Sequence, residues 1–414
     1  MRRAVTVAAS VLDQAAASLT NIAVLVIAAR TSSAEGFAAF SMVYITFTVL
    51  LGLNMAFVGQ AVVLERGEDD RVGAAARSAV TFTAAASALA ALPLLVAGAL
   101  VDGAGGPAFL ALGAVLPVVL VQDGLRYSFS ALRQPHRALA ADTLRLVCAV
   151  PALLLQPYGT SPARLVLVWG LSALPAVLLG LALLRPFVRN RPGEPRRHLR
   201  KGHLGRRFVV EYAVGSASSQ LAVLGIGLFA SPLAVGALRG ASTLFGPLGV
   251  LLTSVNAFAP PLFGRSGSRR ATVRAAAALG AVLALLALAW GTLLFALPER
   301  VGRQLLGDTW QSAADLLPAT GSQYAVMALG TCALVTLRVL SPRATLSVQV
   351  VFSLLAVALM IGGYLLAGTA GAAWGLAAGS ALKAVAAWTR VARTRPEPAA
   401  GQEDGRQRSA APLS

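Results

Sequence analysis

Runs of about twenty apolar residues, each followed by a short polar joint, recur along nearly the whole chain, and nothing else in the sequence restricts the fold so severely. A helix of that length crosses the hydrocarbon core of a bilayer. Only helices and closed barrels satisfy their backbone polar groups there. The runs predict twelve spans, at 7–29, 37–58, 78–101, 108–125, 138–156 and 165–184, then at 208–229, 241–262, 275–297, 313–336, 344–366 and 370–388. They are apolar all round, so each has lipid or another helix on every side. Composition agrees: 57% of the 414 residues are hydrophobic and 13% charged, where a soluble domain carries roughly a quarter charged residues. The first run continues too far, without an A-x-A-like cleavage site, to be a removable signal peptide, and is expected to be a retained first span.

Arginine and lysine set the expected orientation. With the N-terminus inside, the inner joints hold most of the 35 basic residues, including Arg66, Arg71, Arg77, Arg133, Arg137 and a dense group between Arg185 and Arg207. Only Arg30, Arg164, Arg239, Arg300 and Arg303 fall outside, while Arg145 and Lys383 lie within spans. This is the positive-inside pattern, with both termini cytoplasmic in a multi-pass plasma-membrane protein. It accounts for the net charge of +18 without a nucleic-acid partner. The Pro- and Arg-rich joint 185–207 separates two six-span lobes, 1–184 and 208–393, and the polar segment 394–414 is expected to be a disordered cytoplasmic tail. A faint parallel repeat relates the lobes. A shift of 198 residues superposes Asp13 on Glu211, Ser18 on Ser216, and residues 33–40 on 231–238.

Chemistry-bearing motifs are scarce. There is no G-x-x-x-x-G-K-[ST] loop for a nucleotide, no catalytic residue set, and no cofactor or metal signature. His136, His198 and His203 lack ligand spacing, and Cys148 and Cys332 sit in apolar runs. The outer joints are short, and only Asp102, Glu299 and Asp308 lie clearly in them, too few carboxylates for a membrane glycosyltransferase or polymerase. What remains are polar groups in or beside spans, each costing about 2.5–3.5 kcal/mol at a span centre if charged, so each must face protein or water. Asp13, Gln14, Ser18 and Asn21 share a face of the first span. Glu211 opens the seventh, ahead of Ser216, Ser218, Ser219 and Gln220. These faces are either walls of a central cavity, with Asp13 and Glu211 opposed at its inner mouth as a gate, or hydrogen-bonding seams between helices. Two D-x-x-R pairs, Asp123/Arg126 and Asp142/Arg145, flank one inner joint and can close on their own helices or exchange partners. Gly371, Gly375 and Gly379 form a packing stripe, and Gly246-Pro247 and Pro260-Pro261 predict a kinked eighth span.

Three stretches carry a family resemblance. L-D-Q-A-A-A-S-L-T-N (12–21) with A-A-R-T-S-S-A-E-G-F-A-A-F-S (28–41), then V-Q-D-G-L-R-Y-S-F-S-A-L-R-Q-P-H-R-A-L-A-A-D-T-L-R (121–145), and L-R-G-A-S-T-L-F-G-P-L (238–248) resemble the polysaccharide flippases. These are the Wzx-type O-antigen transporters of the multidrug/oligosaccharidyl-lipid/polysaccharide (MOP) exporter superfamily. The resemblance implies an all-α membrane protein of two MATE-like six-helix lobes around a cavity open alternately to each face. It also implies a polyprenyl-diphosphate-linked oligosaccharide as substrate, with membrane lipid and polysaccharide assembly enzymes as candidate partners. Arg30, Arg145, Arg239 and Lys383 are then the candidates to hold a diphosphate, beside Ser18 and Asn21. Asp13, Glu211, Asp123, Arg126, Asp142 and Asp315 are the gate or coupling candidates. A drug or cation antiporter of the same fold is the alternative, and would use Asp13 and Asp315 in a carboxylate-lined cavity. The 65–77 joint lacks the G-x-x-x-D-R-x-G-R-R pattern of facilitator-superfamily transporters.

Overall fold

The structure is a computed structural model that describes residues 2–65, 68–189, 191–252, 255, 268–340 and 342–394. The expected tail and the Pro260-Pro261 pair lie outside the described residues. The protein is all-α, with no strand among the described residues. Six helices form the first half: α1 (Arg2–Thr31), α2 (Ala34–Val63), α3 (Asp69–Leu100), α4 (Gly105–Ala131), α5 (Pro135–Leu154) and α6 (Pro162–Val188). In the second half, α7 is Gly205–Phe229 and α8 is the pair Pro232–Leu244 and Gly246–Leu252. They are followed by α9 (Arg269–Phe295) and α10 (Leu317–Leu340). A continuous stretch, Pro342–Arg393, is broken at Ala367 and Gly368 into α11 (342–366) and α12 (369–393).

Local chemistry starts and stops these elements. Ser33, Ser161, Ser231 and Ser268 cap α2, α6, α8 and α9, each accepting from the backbone N–H three residues on. Ser33 and Ser231 are equivalent under the 198-residue shift. The reversal between α11 and α12 uses Gly368 at φ +60, a conformation that costs glycine nothing. After it, Gly371, Gly375 and Gly379 lie directly against the backbone of Gly363, Leu359 and Ala356, the close antiparallel approach that the stripe predicts. Within α8 the axis turns by 63°, because Pro247 has no N–H to continue the helical ladder. Trp290 Nε1 of α9 donates to the Leu244 carbonyl at 2.9 Å, satisfying an acceptor at the break. The expected span at 313–336 is displaced to Leu317–Leu340, since Pro318 fits only in a first helical turn. Residues ahead of it form the short helices Glu299–Leu306 and Trp310–Ala314.

In the first lobe α1 packs on α5, α3 on α4, and α4 on α6; in the second α9 packs on α10 and α10 on the α11–α12 hairpin. The lobes meet where α2 lies against α7 and α8. The core there is aromatic: Phe37, Phe40, Phe47, Trp169 and Phe245 are fully buried. Apolar side chains also crowd the outside, with Phe229 at 91% and Leu366 at 90% exposure, a surface that is stable only with lipid as its solvent. The protein is a multi-pass membrane protein.

The joint between the lobes is not a free linker. From residue 191 onward it lies across the facing ends of α2 and α3, at the C-terminus of α2 and the N-terminus of α3. Arg77 Nη1 donates to the Arg191 carbonyl (2.6 Å), Ser78 Oγ accepts from the Glu194 N–H (2.8 Å), and Arg197 pairs with Glu65 (2.7 Å). His198 stacks near Phe82 and His203 near Phe57, at 4.9 and 5.1 Å between ring centres. The first turns of α7 continue this docking: Tyr212 Oη donates to the Thr48 carbonyl of α2 at 3.2 Å.

Candidate functional site

The principal cavity has a volume of about 560 Å³ and lies mainly in the second lobe. Its walls come from α7, α8, α10, α11 and α12, closed on the first-lobe side by α1 and α2. Ser216, Ser219, Gln220, Ser242, Thr320, Gln323 and Thr331 make it hydroxyl- and amide-rich. Two cations enter it, Arg239 of α8 and Lys383 of α12, and no described lining residue is a carboxylate. At about 1.5 Å of rise per residue, Arg239 is about 10 Å from the start of α8 and Lys383 about 15 Å from the end of α12.

Neither cation is neutralised by an acidic side chain in the described structure. Lys383 Nζ donates to Ser353 Oγ of α11 at 3.0 Å. The Arg239 guanidinium lies 5.2 Å from the centre of the Tyr44 ring, and its buried Nε has no hydrogen-bond partner in the described structure. Local backbone geometry contributes too. Within α7 the segment Ala213–Ala217 is a π-helical turn, which widens the helix and brings Gly215 and Ser216 to the cavity wall.

A second polar constellation is buried in the first lobe. Arg126 of α4 is the hub, with Nη2 3.2 Å from Asp13 Oδ2, Nη1 3.4 Å from Asp123 Oδ1 and Nε 2.8 Å from Asp142 Oδ2. Gln122 donates to Asp142 Oδ1 (2.5 Å) and accepts from Arg145. One D-x-x-R pair thus closes on its own helix, whereas Asp142 and Arg145 engage α4 instead. Arg145 also approaches the Trp169 ring, at 5.9 Å. Three carboxylates face two guanidiniums, and Asp13 Oδ1 and Asp123 Oδ2 are buried without a hydrogen-bond partner in the described structure.

Of the residues singled out in the sequence, Arg239, Lys383 and Asn21 meet at the cavity. Arg145, Asp13, Asp123, Arg126 and Asp142 form the first-lobe network. Asp13 and Asn21 do not share a wall: eight residues rotate a helix by roughly 80°, and Asp13 turns to Arg126 while Asn21 accepts from Tyr44 Oη (3.2 Å). Asp13 therefore faces its own lobe, and the Glu211 side chain expected opposite it lies outside the described residues. Ser18 is half-buried and outside the cavity lining; Arg30 and Asp315 are exposed at the ends of α1 and of Trp310–Ala314. Sequence reading missed Tyr44, Gln122, Trp169 and Ser353. Gln122 had a signal, standing beside Asp123; the others gain their roles only through helices distant in sequence.

The sequence matches no family model and no curated protein. Solved structures do match in fold. An inward-facing multidrug resistance MATE family transporter of the MOP superfamily aligns with a TM-score of 0.68 at 13% identity, over 95% of this chain and 96% of that one. The lipid II flippase MurJ, in an inward closed conformation, aligns with a TM-score of 0.68 at 12% identity, over 94% and 87%. A MOP superfamily transporter from Pyrococcus furiosus, described as having a binding pocket of reverse polarity that suggests a different function, aligns at 0.56 and 13%, over 93% of each. The fold is that of the MOP superfamily transporters.

Proposed function

We propose that the protein is a secondary transporter that moves a polyprenyl-diphosphate-linked oligosaccharide from the inner to the outer leaflet by alternating access, for export of a surface polysaccharide. The observation that carries this reading is the charge of the cavity: Arg239 and Lys383 project into it, and no carboxylate stands among the described lining residues. A diphosphate cannot enter hydrocarbon, and guanidinium and ammonium groups in a hydroxyl-lined cavity replace its water. The glycan would meet the serine, threonine and glutamine side chains, while the polyprenyl tail stays in lipid. The likeness to a lipid II flippase supports a lipid-linked load. On the same reading the termini are cytoplasmic, and membrane lipid and polysaccharide assembly enzymes are the partners.

The first-lobe network, with three carboxylates to two guanidiniums, suits one exchangeable proton or small cation, and we assign ion coupling to it. A drug or cation antiporter would need its carboxylates in the cavity. Here Asp13 and Asp142 are held by Arg126 in the other lobe and Asp315 is at the surface, which favours the anionic load. The test is a reconstituted flipping assay with a short-chain polyprenyl-diphosphate disaccharide. Arg239→Gln with Lys383→Gln is expected to abolish flipping in protein that still inserts and folds. Undiminished flipping by that variant, or transport of organic cations by the wild type, overturns the proposal.

A further inference from the structure

We infer that Tyr44 is a positioning residue for substrate recognition: held by one lobe, its ring orients the Arg239 guanidinium of the other lobe towards the cavity. The inference rests on the anionic load proposed above. Arg239 lies at the lobe interface, 5.2 Å from the Tyr44 ring centre, with no carboxylate among the described lining residues to steer it. An arginine carries several soft side-chain torsions, and an unsteered one loses that freedom each time it grips a phosphate. A fixed aromatic face removes the cost in advance, because the ring's negative face attracts the planar cation and leaves its N–H edge available.

Tyr44 is itself fixed. It is 4% exposed, its hydroxyl donates to Asn21 Oδ1 at 3.2 Å, and its ring packs between Phe40 at 5.8 Å and Trp169 at 5.6 Å. Arg145 of the buried network lies 5.9 Å from the other partner of that stack, Trp169. The aromatic face offered to the cavity cation thus belongs to a rigid aromatic cluster built from α2 and α6. Because Tyr44 is on α2 and Arg239 on α8, the contact spans the lobe interface, and separation of the lobes at this depth breaks it. Substrate affinity is therefore higher while the contact holds than after it parts.

The probe is farnesyl diphosphate, titrated into purified full-length protein in nanodiscs. Tyr44→Phe keeps the face and is expected to bind within about threefold of wild type. Phenylalanines of rising ring fluorination at position 44 keep the shape while draining the face, and should weaken binding stepwise to about tenfold, a scale that follows from a partly desolvated cation–π contact. In an Arg239→Gln background the fluorination series should be flat; in a Lys383→Gln background it should persist in full. A flat series in the wild type, or equal slopes in both backgrounds, overturns the role of Tyr44 while leaving the anionic load intact. If Arg239→Gln and Lys383→Gln both bind the probe like the wild type, the anionic load fails, and this inference with it.

Discussion

Arg126 illustrates how much at the residue scale depends on groups that only meet after folding. Its i,i+3 partner Asp123 is legible in the sequence, since three residues put both on one helix face. The engagement of Asp13, 113 positions away, is not. Nor is the choice of Arg145 to bind Gln122 rather than Asp142, which the D-x-x-R spacing alone would have paired. Removing the hub takes the ion-pair partner from three buried carboxylates and leaves only Arg145 near them. Arg126→Gln is therefore expected to destabilise the protein by about 3–5 kcal/mol, the usual cost of breaking a buried ion pair. Asp142→Asn added to it should recover part of the loss, since it removes one of the stranded charges. Thermal melting in detergent checks both. An Arg126→Gln protein that melts like the wild type would mean that the carboxylates take up protons at no cost.

At the scale of elements, composition was a good guide wherever a residue type has a single backbone consequence. Gly246-Pro247 marks the bend in α8, and the glycine stripe marks the α11–α12 contact. The joint after α6 was not legible, because its arginines and prolines look the same in a free linker and in a docked strap. Its histidines supply a test. The Gly205 N–H donates to His203 Nδ1 at 3.2 Å, so His203 carries its proton on Nε2, facing His198 Nδ1 at 3.1 Å. Burial, then His203 and then Arg197, push His198 from an ordinary 6.5 down to about 4. Burial, then Arg197 and Arg206, lower the neighbouring His203 as well, against the opposing pull of Glu65. Docked His198 therefore binds fewer protons than undocked His198. The strap is held fully above about pH 6.5 and is progressively weakened as pH falls towards 4. A fluorophore on Arg196→Cys, an exposed site, should report rising mobility across that window. His198→Phe should flatten the profile, and an unaltered profile in that variant would exclude this histidine as the cause.

For the whole molecule, the alternation of apolar runs and basic joints predicts twelve passes, because bilayer thickness and charge asymmetry act on each segment independently. The described residues hold seven helical stretches, or eight with the bent α8, that are long and apolar enough to cross a bilayer, the α11–α12 stretch counting as one. The cavity was not accessible in that way. It needs side chains from α8, α10 and α12 in register, and a candidate such as Arg30 differs from Arg239 only in where its helix lands. The basic residues do make one global prediction. With Cys148 and Cys332 replaced by serine, Asp102→Cys in the α3–α4 joint should react with an impermeant thiol reagent applied outside intact cells. Arg196→Cys should react only after permeabilisation. The reverse pattern would invert the orientation.

The π-helical turn Ala213–Ala217 lies between two parts of α7 with different allegiances. Before it, Tyr212 is tied to the Thr48 carbonyl of α2, and Gly205 lies against the backbone of Phe57; after it, Ser218, Ser219 and Gln220 line the second-lobe cavity. A rotation of one lobe against the other would load this helix, and a π turn, with its looser hydrogen-bond ring, is a soft place to absorb it. Gly215 and Ser216 belong to that turn and also to the cavity wall. If the protein works by the alternating access proposed, this turn is crankshaft and, through Gly215 and Ser216, part of the cylinder: the lobes cannot turn without reshaping the chamber, and a load seated there resists or assists the stroke directly.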